Sequence, residues 1–341
     1  MQNLLDPALL FFVVGLVAGA LRSNLEIPPP IAKFLSLYLL MALGLKGGFA
    51  LAHSGLDAQV ALSLLSAMTM AVLVPALGFV FLRRFVSRFD AAAVAASYGS
   101  VSAVTFVTAM QYLDNQGLAP GGHMAAAMVV MESPAVLMAV LLANAVRKHQ
   151  SAPAGVVAHS GGAAVASWGG GGHGGSGLGK ILRESFTEGT QLLLLGAMAI
   201  GWLSGEAGRA VMQPFSADLF KGMLAFFLLD MGLLVARNFG SARASSPVLL
   251  AYGVLGPVVH AAIALALAAL LGLPAGDAAL LMVLSASASY IVVPAVLRHA
   301  IPEANPSLYF GLSLGLTFPL NLLLGIPLYT WMARTVLGVG H

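Results

Sequence analysis

The chain has 341 residues, of which 59% are hydrophobic and only 9% are charged. A water-soluble domain carries charges on about a quarter of its residues, so this composition excludes a soluble protein and predicts a polytopic membrane protein. The absence of cysteine excludes disulfides and thiolate metal sites. The formal net charge is +3, and the placement of the basic residues explains it without a nucleic-acid partner.

Apolar windows of about 20 residues predict an all-α protein with ten transmembrane helices. The predicted spans are 5–22, 31–52, 57–82, 90–112, 121–147, 188–205, 215–236, 246–271, 276–298 and 306–334. The stretch between the fifth and sixth spans is rich in glycine and has no hydrophobic period, as is typical of a flexible linker. The predicted organisation is a first five-helix repeat (1–147), a Gly-rich cytoplasmic linker (148–182) and a second five-helix repeat (183–341).

The distribution of Lys and Arg predicts the orientation. If the linker is cytoplasmic, only Lys46, Arg209, Lys221 and Arg334 of the 16 basic residues fall at the opposite side. This bias follows the positive-inside rule. It places the protein in the cell (plasma or inner) membrane, with both termini outside the cytoplasm.

Features of the first half recur in the same order in the second half, at offsets of 185 to 188 residues. The corresponding residues are Gly15 and Gly19 with Gly201 and Gly205, Gly44 with Gly232, Ser100 and Ser102 with Ser287 and Ser289, and Pro134 with Pro319. Each half has an odd number of spans, so the second half is predicted to be inverted relative to the first. An inverted-topology repeat with broken helices is typical of secondary transporters, which bind substrate near the bilayer midplane.

Two serine-rich segments are the strongest candidates for a binding site. Asp90 is followed at +10 and +12 by serines, and so is Asp277. Alternate serines share a face only in an extended segment, and Pro294 disfavours a continuous helix, so we predict that helices 4 and 9 are broken. The alternative is that small residues allow close helix packing, with hydroxyls bonded to carbonyls. The predicted substrate-binding residues are Ser100, Ser102, Thr105, Ser287, Ser289 and Tyr290.

The carboxylates of Glu132 and Asp230 fall inside predicted spans. Pro134 frees the carbonyl of Val130, and a carboxylate beside it can hold Na⁺ or carry a proton. The predicted coupling residues are Glu132, Ser133 and Val130, with Thr317 and Gly315 at the equivalent position of the second half. A structural carboxylate bonded to Ser or Asn is the alternative for Glu132, and Lys46 or Asn321 is a candidate partner for Asp230. Lys46 is expected to snorkel to the interface, and His123 and His260 are expected to be hydrogen-bonded packing residues.

Several segments together resemble the sodium-dependent bicarbonate transporter family, of the inducible bicarbonate permease type. They are "IAKFLSLYLLMALGLKGGFAL", "YGSVSAVT", "MESPAVL", "SASASYIVVPAVLRHAIPEANPSLYFG" and "TFPLNL". The resemblance implies a bicarbonate and Na⁺ site where broken helices meet, a homotrimer and a cytoplasmic PII-like regulator, with no cofactor other than Na⁺ as coupling ion. The chain departs from photosynthetic members of the family at Tyr290, where they carry an acidic residue, and at Val292 and Val293, where they carry Ser-Gly.

The sequence therefore predicts a secondary active transporter for Na⁺-coupled uptake of bicarbonate or a related small anion. The alternative is proton-coupled or passive transport of a small organic anion. An intramembrane enzyme is not expected, because no serine is matched with a histidine or lysine base, and no paired aspartates lie at one depth.

Overall fold

The computed structural model describes residues 6–55, 57–150, 189–243, 245–290, 293, 297 and 301–338, and among these it contains helices and no strands. We number the helices of the described part in chain order. They are α1 (Pro7–Ala20), α2 (Pro29–Ser54), α3 (Ala58–Leu82), α4 (Arg88–Gly99), α5 (Ala103–Asn115), α6 (Met124–Gln150), α7 (Gly189–Gln213), α8 (Phe220–Arg243), α9 (Pro247–Leu271), α10 (Ala275–Ala286) and α11 (Pro306–Leu337).

Seven helical stretches of the described part are long and apolar enough to cross a membrane. They comprise α2, α3, α4 with α5, α6, α7 with α8, α9 and α11, while α1 and α10 are shorter apolar helices. These lengths confirm the predicted class, a multi-pass all-α membrane protein.

The predicted sixth and seventh spans form one helical stretch, Leu192–Gly240. The backbone leaves helical geometry at Gly205, where φ is 54°, a conformation that glycine adopts without a Cβ clash. A π-helical turn follows at Pro214–Asp218. The predicted end of the sixth span at residue 205 therefore coincides with a kink rather than with the end of the helix.

Several helices, among them α3 and α4, begin at residues whose side chains accept backbone N–H groups. Asp57 accepts the N–H of Val60 at 2.9 Å, and Ser87 accepts the N–H of Asp90 at 3.1 Å. The first N–H groups of a helix have no intrahelical partner, and hydrocarbon offers them none. Such caps therefore fix where the chain enters each helix.

Two close helix pairs join the halves of the chain. Where α1 crosses α8, a Cβ at Gly15 would lie 3.1 Å from the Cα of Gly232. Where α2 crosses α7, a Cβ at Gly48 would lie 2.9 Å from the Cα of Gly201. Backbones approach this closely only where small residues line the contact. The first helix of each half thus packs against the second helix of the other half.

The other helices form a second group. In this group α3 packs against α4 and α6, α9 packs against α10, and α10 packs against α5 and α11. Residues 91–99 of α4 and 276–286 of α10 are buried along their whole length. Irregular backbone is tolerated at membrane depth when protein surrounds it, and the ends of α4 and α10 lie in such surroundings.

Pro134 and Pro319, which hold corresponding positions in the two halves, have different local effects on their helices. On either side of Pro319, α11 contains π-helical turns, Ser313–Thr317 and Asn321–Gly325. Proline cannot donate a backbone hydrogen bond, and a π turn accommodates the missing donor. In contrast, α6 continues through Pro134 to Gln150, three residues beyond the predicted boundary at 147. The rest of the predicted linker, 151–182, lies outside the described residues.

Candidate functional site

Two helices end at serines in the centre of the second group. α4 ends at Gly99, and the backbones of Ser100 and Ser102 are extended, with ψ of 172° and 112°. α10 ends at Ala286, and the backbone of Ser287 is extended, with ψ of 166°. Each half of the chain therefore places an extended serine segment directly after a buried helix.

Serine hydroxyls complete these helix ends. Ser102 Oγ accepts the N–H of Thr105 at 3.2 Å and so caps α5. Ser287 Oγ donates to the carbonyl oxygen of Leu284 at 2.8 Å, in the last turn of α10. Part of the alternative interpretation is therefore correct, because these two hydroxyls have local structural partners.

The two extended segments contact each other. The N–H of Ser289 donates to the carbonyl oxygen of Ser97 at 2.8 Å. The N–H of Ser102 donates to Ser287 Oγ at 3.1 Å. We call this contact the serine crossing and define it by Ser97, Ser100, Ser102, Ser287 and Ser289. Four of the six predicted substrate-binding residues lie in it.

Several hydroxyls in the serine crossing or close to it in the chain have no hydrogen-bond partner in the described part of the chain. They belong to Ser97, Ser100, Thr105 and Ser285, each at most 1% exposed. Leaving a buried hydroxyl unpaired costs about 1–3 kcal/mol, and buried polar groups in native proteins are nearly always paired. Such a cluster indicates a place where a polar ligand supplies the missing partners.

The helix ends set the electrostatics of the crossing. α5 starts there, so its first N–H groups carry partial positive charge. α4 and α10 end there, so their last carbonyls carry partial negative charge. The arrangement offers N–H and O–H donors to an anion and carbonyl oxygens to a cation, without a cationic side chain in the crossing.

Tyr290 lies beside the crossing and contacts both the crossing and other elements. Its hydroxyl lies 3.8 Å from the sulfur of Met231 on α8, and its ring centroid lies 5.5 Å from that of Phe318 on α11. The residue is 4% exposed. Its hydroxyl also contacts the side chain of Ser102, so Tyr290 brings a polar group to the crossing while its ring forms an apolar wall next to Ser289.

The predicted coupling residues are divided between two helices. Glu132 is buried on α6, Val130 on the same helix is half-buried, and the side chain of Ser133 lies outside the described residues. Gly315 and Thr317 lie in the first π turn of α11. The hydroxyl of Thr317 donates to the carbonyl oxygen of Gly253 at 2.8 Å and contacts the hydroxyl of Tyr98 at 2.5 Å, so it ties α9 and α4 to α11.

The partners suggested for Asp230 are engaged elsewhere. Lys46 Nζ lies 4.0 Å from Asp114 Oδ2 and over the ring of Phe220. Asn321 Nδ2 donates to the carbonyl oxygen of Ala286 at 2.7 Å. The suggestion that Lys46 or Asn321 satisfies Asp230 was therefore wrong. Sequence alone did not reveal that Asn321 instead anchors the end of α10.

The two aspartates that begin the serine patterns have a role that sequence reasoning missed. Asp277 Oδ1 accepts the N–H of Gly121 at 2.6 Å, and Asp90 Oδ1 accepts the N–H of Asn305 at 2.8 Å. Each half thus holds the loop before the last helix of the other half. His123 Nε2 lies 3.3 Å from Asp277 Oδ2, so this packing histidine has a buried carboxylate as its neighbour. The sequence did contain a signal for the role of the two aspartates, because each is followed by serines at the same offset.

Comparison with known proteins gives the family. No curated protein sequence matches the chain. The profile of the Na⁺-dependent bicarbonate transporter superfamily matches residues 7–334, almost the whole chain. This match confirms the resemblance seen in the sequence segments and implies a transport protein rather than an enzyme. The chain belongs to the Na⁺-dependent bicarbonate transporter superfamily.

Proposed function

We propose that the chain is a secondary active transporter that takes up bicarbonate or a related small anion together with Na⁺, and that the serine crossing binds the anion. The observation that carries this proposal is the cluster of buried hydroxyls, at two meeting helix ends, that have no partner among the described residues. Substrate sites between discontinuous helices are typical of secondary transporters. The superfamily match supports transport in general.

Reciprocal contacts support an inverted repeat in a ten-span protein. A two-fold axis requires that every contact from the first half to the second be matched by one in return. The glycine contact of α1 with α8 is matched by that of α2 with α7. The bond from Asp277 to the loop of the first half is matched by the bond from Asp90 to the loop of the second half.

The same contacts suggest how access alternates. The α1, α2, α7 and α8 helices form one group through glycine contacts, and the other helices form a group around the serine crossing. Movement of the second group against the first would expose the crossing to one side and then to the other. We propose the orientation with both termini outside the cytoplasm, which rests on the Lys and Arg bias.

For the cation we propose a site near the crossing that uses Glu132 with backbone carbonyls. Glu132 is buried on α6, and an ionisable residue inside a membrane protein is a functional candidate by default. The carbonyl ends of α4 and α10 add partial negative charge. Na⁺ prefers such hard oxygen ligands, as do other hard cations.

Transport by reconstituted protein tests the proposal. Purified protein in liposomes should accumulate radiolabelled bicarbonate faster with an inward Na⁺ gradient than without one. Ser100→Ala removes a hydroxyl that has no partner within the described ranges, so it should lower uptake without lowering stability. Ser66→Ala is the matched control, because Ser66 is equally buried but donates to the carbonyl oxygen of Ser63 at 2.7 Å. The control should lower stability slightly and leave the KM unchanged.

Lack of Na⁺-stimulated uptake for bicarbonate and for a panel of small carboxylates would refute the coupled mechanism. Equal effects of the two serine variants on KM would refute the serine crossing as the anion site. The two outcomes are independent of each other.

A second candidate is proton-coupled or passive transport of a small organic anion. The observation that favours it is the pair of His123 and Asp277, both buried and 3.3 Å apart. Buried histidine and carboxylate groups are common proton carriers in transporters. Uptake that follows a pH gradient, ignores Na⁺ and is lost in His123→Gln would support this candidate.

A further inference from the structure

A large apolar groove lies between α3 and α9, away from the serine crossing. Its volume is about 560 Å³. One wall includes Gly78 and Phe81 of α3 and Phe85 just after it, and the α9 wall includes Ala251 and Leu255. These two helices are apolar over 25 residues each, so the groove faces the hydrocarbon of the membrane.

Two aromatic residues form part of the groove wall, with their polar atoms buried behind it. Tyr252 and His260 line it and are 7% and 3% exposed. The hydroxyl of Tyr252 and Nδ1 of His260 have no hydrogen-bond partner among the described residues. Both atoms are enclosed by protein, so an occupant of the groove packs against the rings of these residues and not against their polar atoms.

One end of the groove meets a cluster of arginines. Phe85 follows the end of α3 at Leu82, and Val248 is the second residue of α9, so this end opens where both elements reach the membrane surface. Arg83, Arg84 and Arg88 lie there and are exposed. An apolar groove that ends at three cations is complementary to an amphiphile with an anionic head.

We propose that the α3–α9 groove binds one anionic phospholipid. An acyl chain lies along the groove, and the phosphate contacts the arginine cluster of Arg83, Arg84 and Arg88. Tyr252 lies five residues into α9, about 8 Å from its start at 1.5 Å per residue. The Tyr252 ring therefore packs against the first part of the acyl chain, just below the head group of a phospholipid.

This site is connected to the serine crossing. The ring centroid of Tyr252 lies 5.0 Å from that of Tyr98. Tyr98 follows Ser97, whose carbonyl oxygen accepts the N–H of Ser289. A bound lipid thus packs one residue away from the contact between the two halves, and it stabilises the surroundings of the crossing.

Lipid titration of the purified full chain, followed by native mass spectrometry, tests the proposal. Phosphatidylglycerol should bind to the protein more tightly than phosphatidylcholine. Ala251→Trp fills the groove from an exposed position and should weaken phosphatidylglycerol binding by roughly tenfold, because the acyl chain loses its apolar contacts. Val254→Trp is the control, since Val254 is exposed on the same helix and does not line the groove.

The charge contribution has its own control. Arg83→Gln with Arg84→Gln should remove the preference for phosphatidylglycerol over phosphatidylcholine. Arg22→Gln with Lys33→Gln removes two exposed cations elsewhere and should leave that preference in place. Circular dichroism establishes that each variant is folded.

Three results would overturn the proposal. They are equal binding of the two lipids, equal effects of Ala251→Trp and Val254→Trp, and a change of oligomeric state in Ala251→Trp without a change in lipid binding. The last result would mean that a second copy of the chain occupies the groove. Since the readout is lipid binding, it does not depend on whether the protein carries bicarbonate.

Discussion

Asp277 and Asp90 offer a direct test of how burial sets the strength of equivalent contacts. Both carboxylates accept a backbone N–H from a loop of the other half. Asp277 is 3% exposed, whereas Asp90 is only half-buried. Replacing each by alanine removes the same bond in two environments.

The expected losses follow from those environments. A hydrogen bond to a charged group contributes about 1.5–3 kcal/mol, and an unpaired buried donor adds its desolvation penalty. Asp277→Ala leaves the N–H of Gly121 and the His123 ring without this carboxylate, so we expect a loss of about 3 kcal/mol. Water can replace the carboxylate in Asp90→Ala, so we expect about 1 kcal/mol. The difference of about 2 kcal/mol changes the folding equilibrium roughly thirtyfold.

The measurement is the free energy of unfolding in mixed micelles, from denaturant titration at constant protein and detergent. Asp277→Asn keeps the Oδ1 acceptor and should recover much of the loss. Equal losses in the two alanine variants, or a larger loss in Asp90→Ala, would refute the reasoning from burial. Failure of Asp277→Asn to recover stability would assign the effect to the charge beside His123 instead.

Three other changes test separate parts of the fold. Asn321→Leu removes the donor to the carbonyl of Ala286 and should lower the unfolding free energy by about 1–3 kcal/mol. Tyr329→Phe removes only the 3.0 Å bond to Asn321 Oδ1 and should lower it by less. Equal changes in the two variants would contradict this. Gly48→Ala forces α2 from α7 and should lower the melting temperature, whereas Gly222→Ala has open space at its Cβ and should not. Hydrogen bonds from Arg147 hold the pKa of Glu303 below its usual value. The ion pair of Glu303 with Arg147 therefore stabilises the fold at neutral pH, and this contribution is lost as pH falls through the lowered pKa of Glu303. The loss should be less than about 1 kcal/mol because the pair is exposed. Glu303→Gln should lack this acid-dependent loss.

The membrane class and the serine segments could be predicted from the sequence because they depend on local patterns. Apolar windows report the helices directly, and alternate serines report an extended backbone at Ser100 and Ser102. The offset near 187 between equivalent features pointed to related halves. These signals need no knowledge of which helices touch.

Side-chain partners could not be predicted, since they depend on tertiary packing. Asn321 could pair with any acceptor at its depth, and only the packing of α11 against α10 selects the carbonyl of Ala286. Likewise, the contact of His123 with Asp277 joins residues from opposite halves. The π turns of α11 also escape sequence patterns, because their extra residue leaves the run of apolar residues unchanged.

The reciprocal bonds from Asp90 and Asp277 to loops of the opposite half have an evolutionary consequence under the proposed inverted repeat. A single-copy ancestor making these contacts would have carried one such aspartate and one such loop, and would have needed a second molecule to complete both bonds. That second molecule would have inserted in the opposite orientation. The ancestor would therefore have been a dual-topology protein with little Lys and Arg bias, and the present bias would have arisen after gene fusion fixed the orientation of each half.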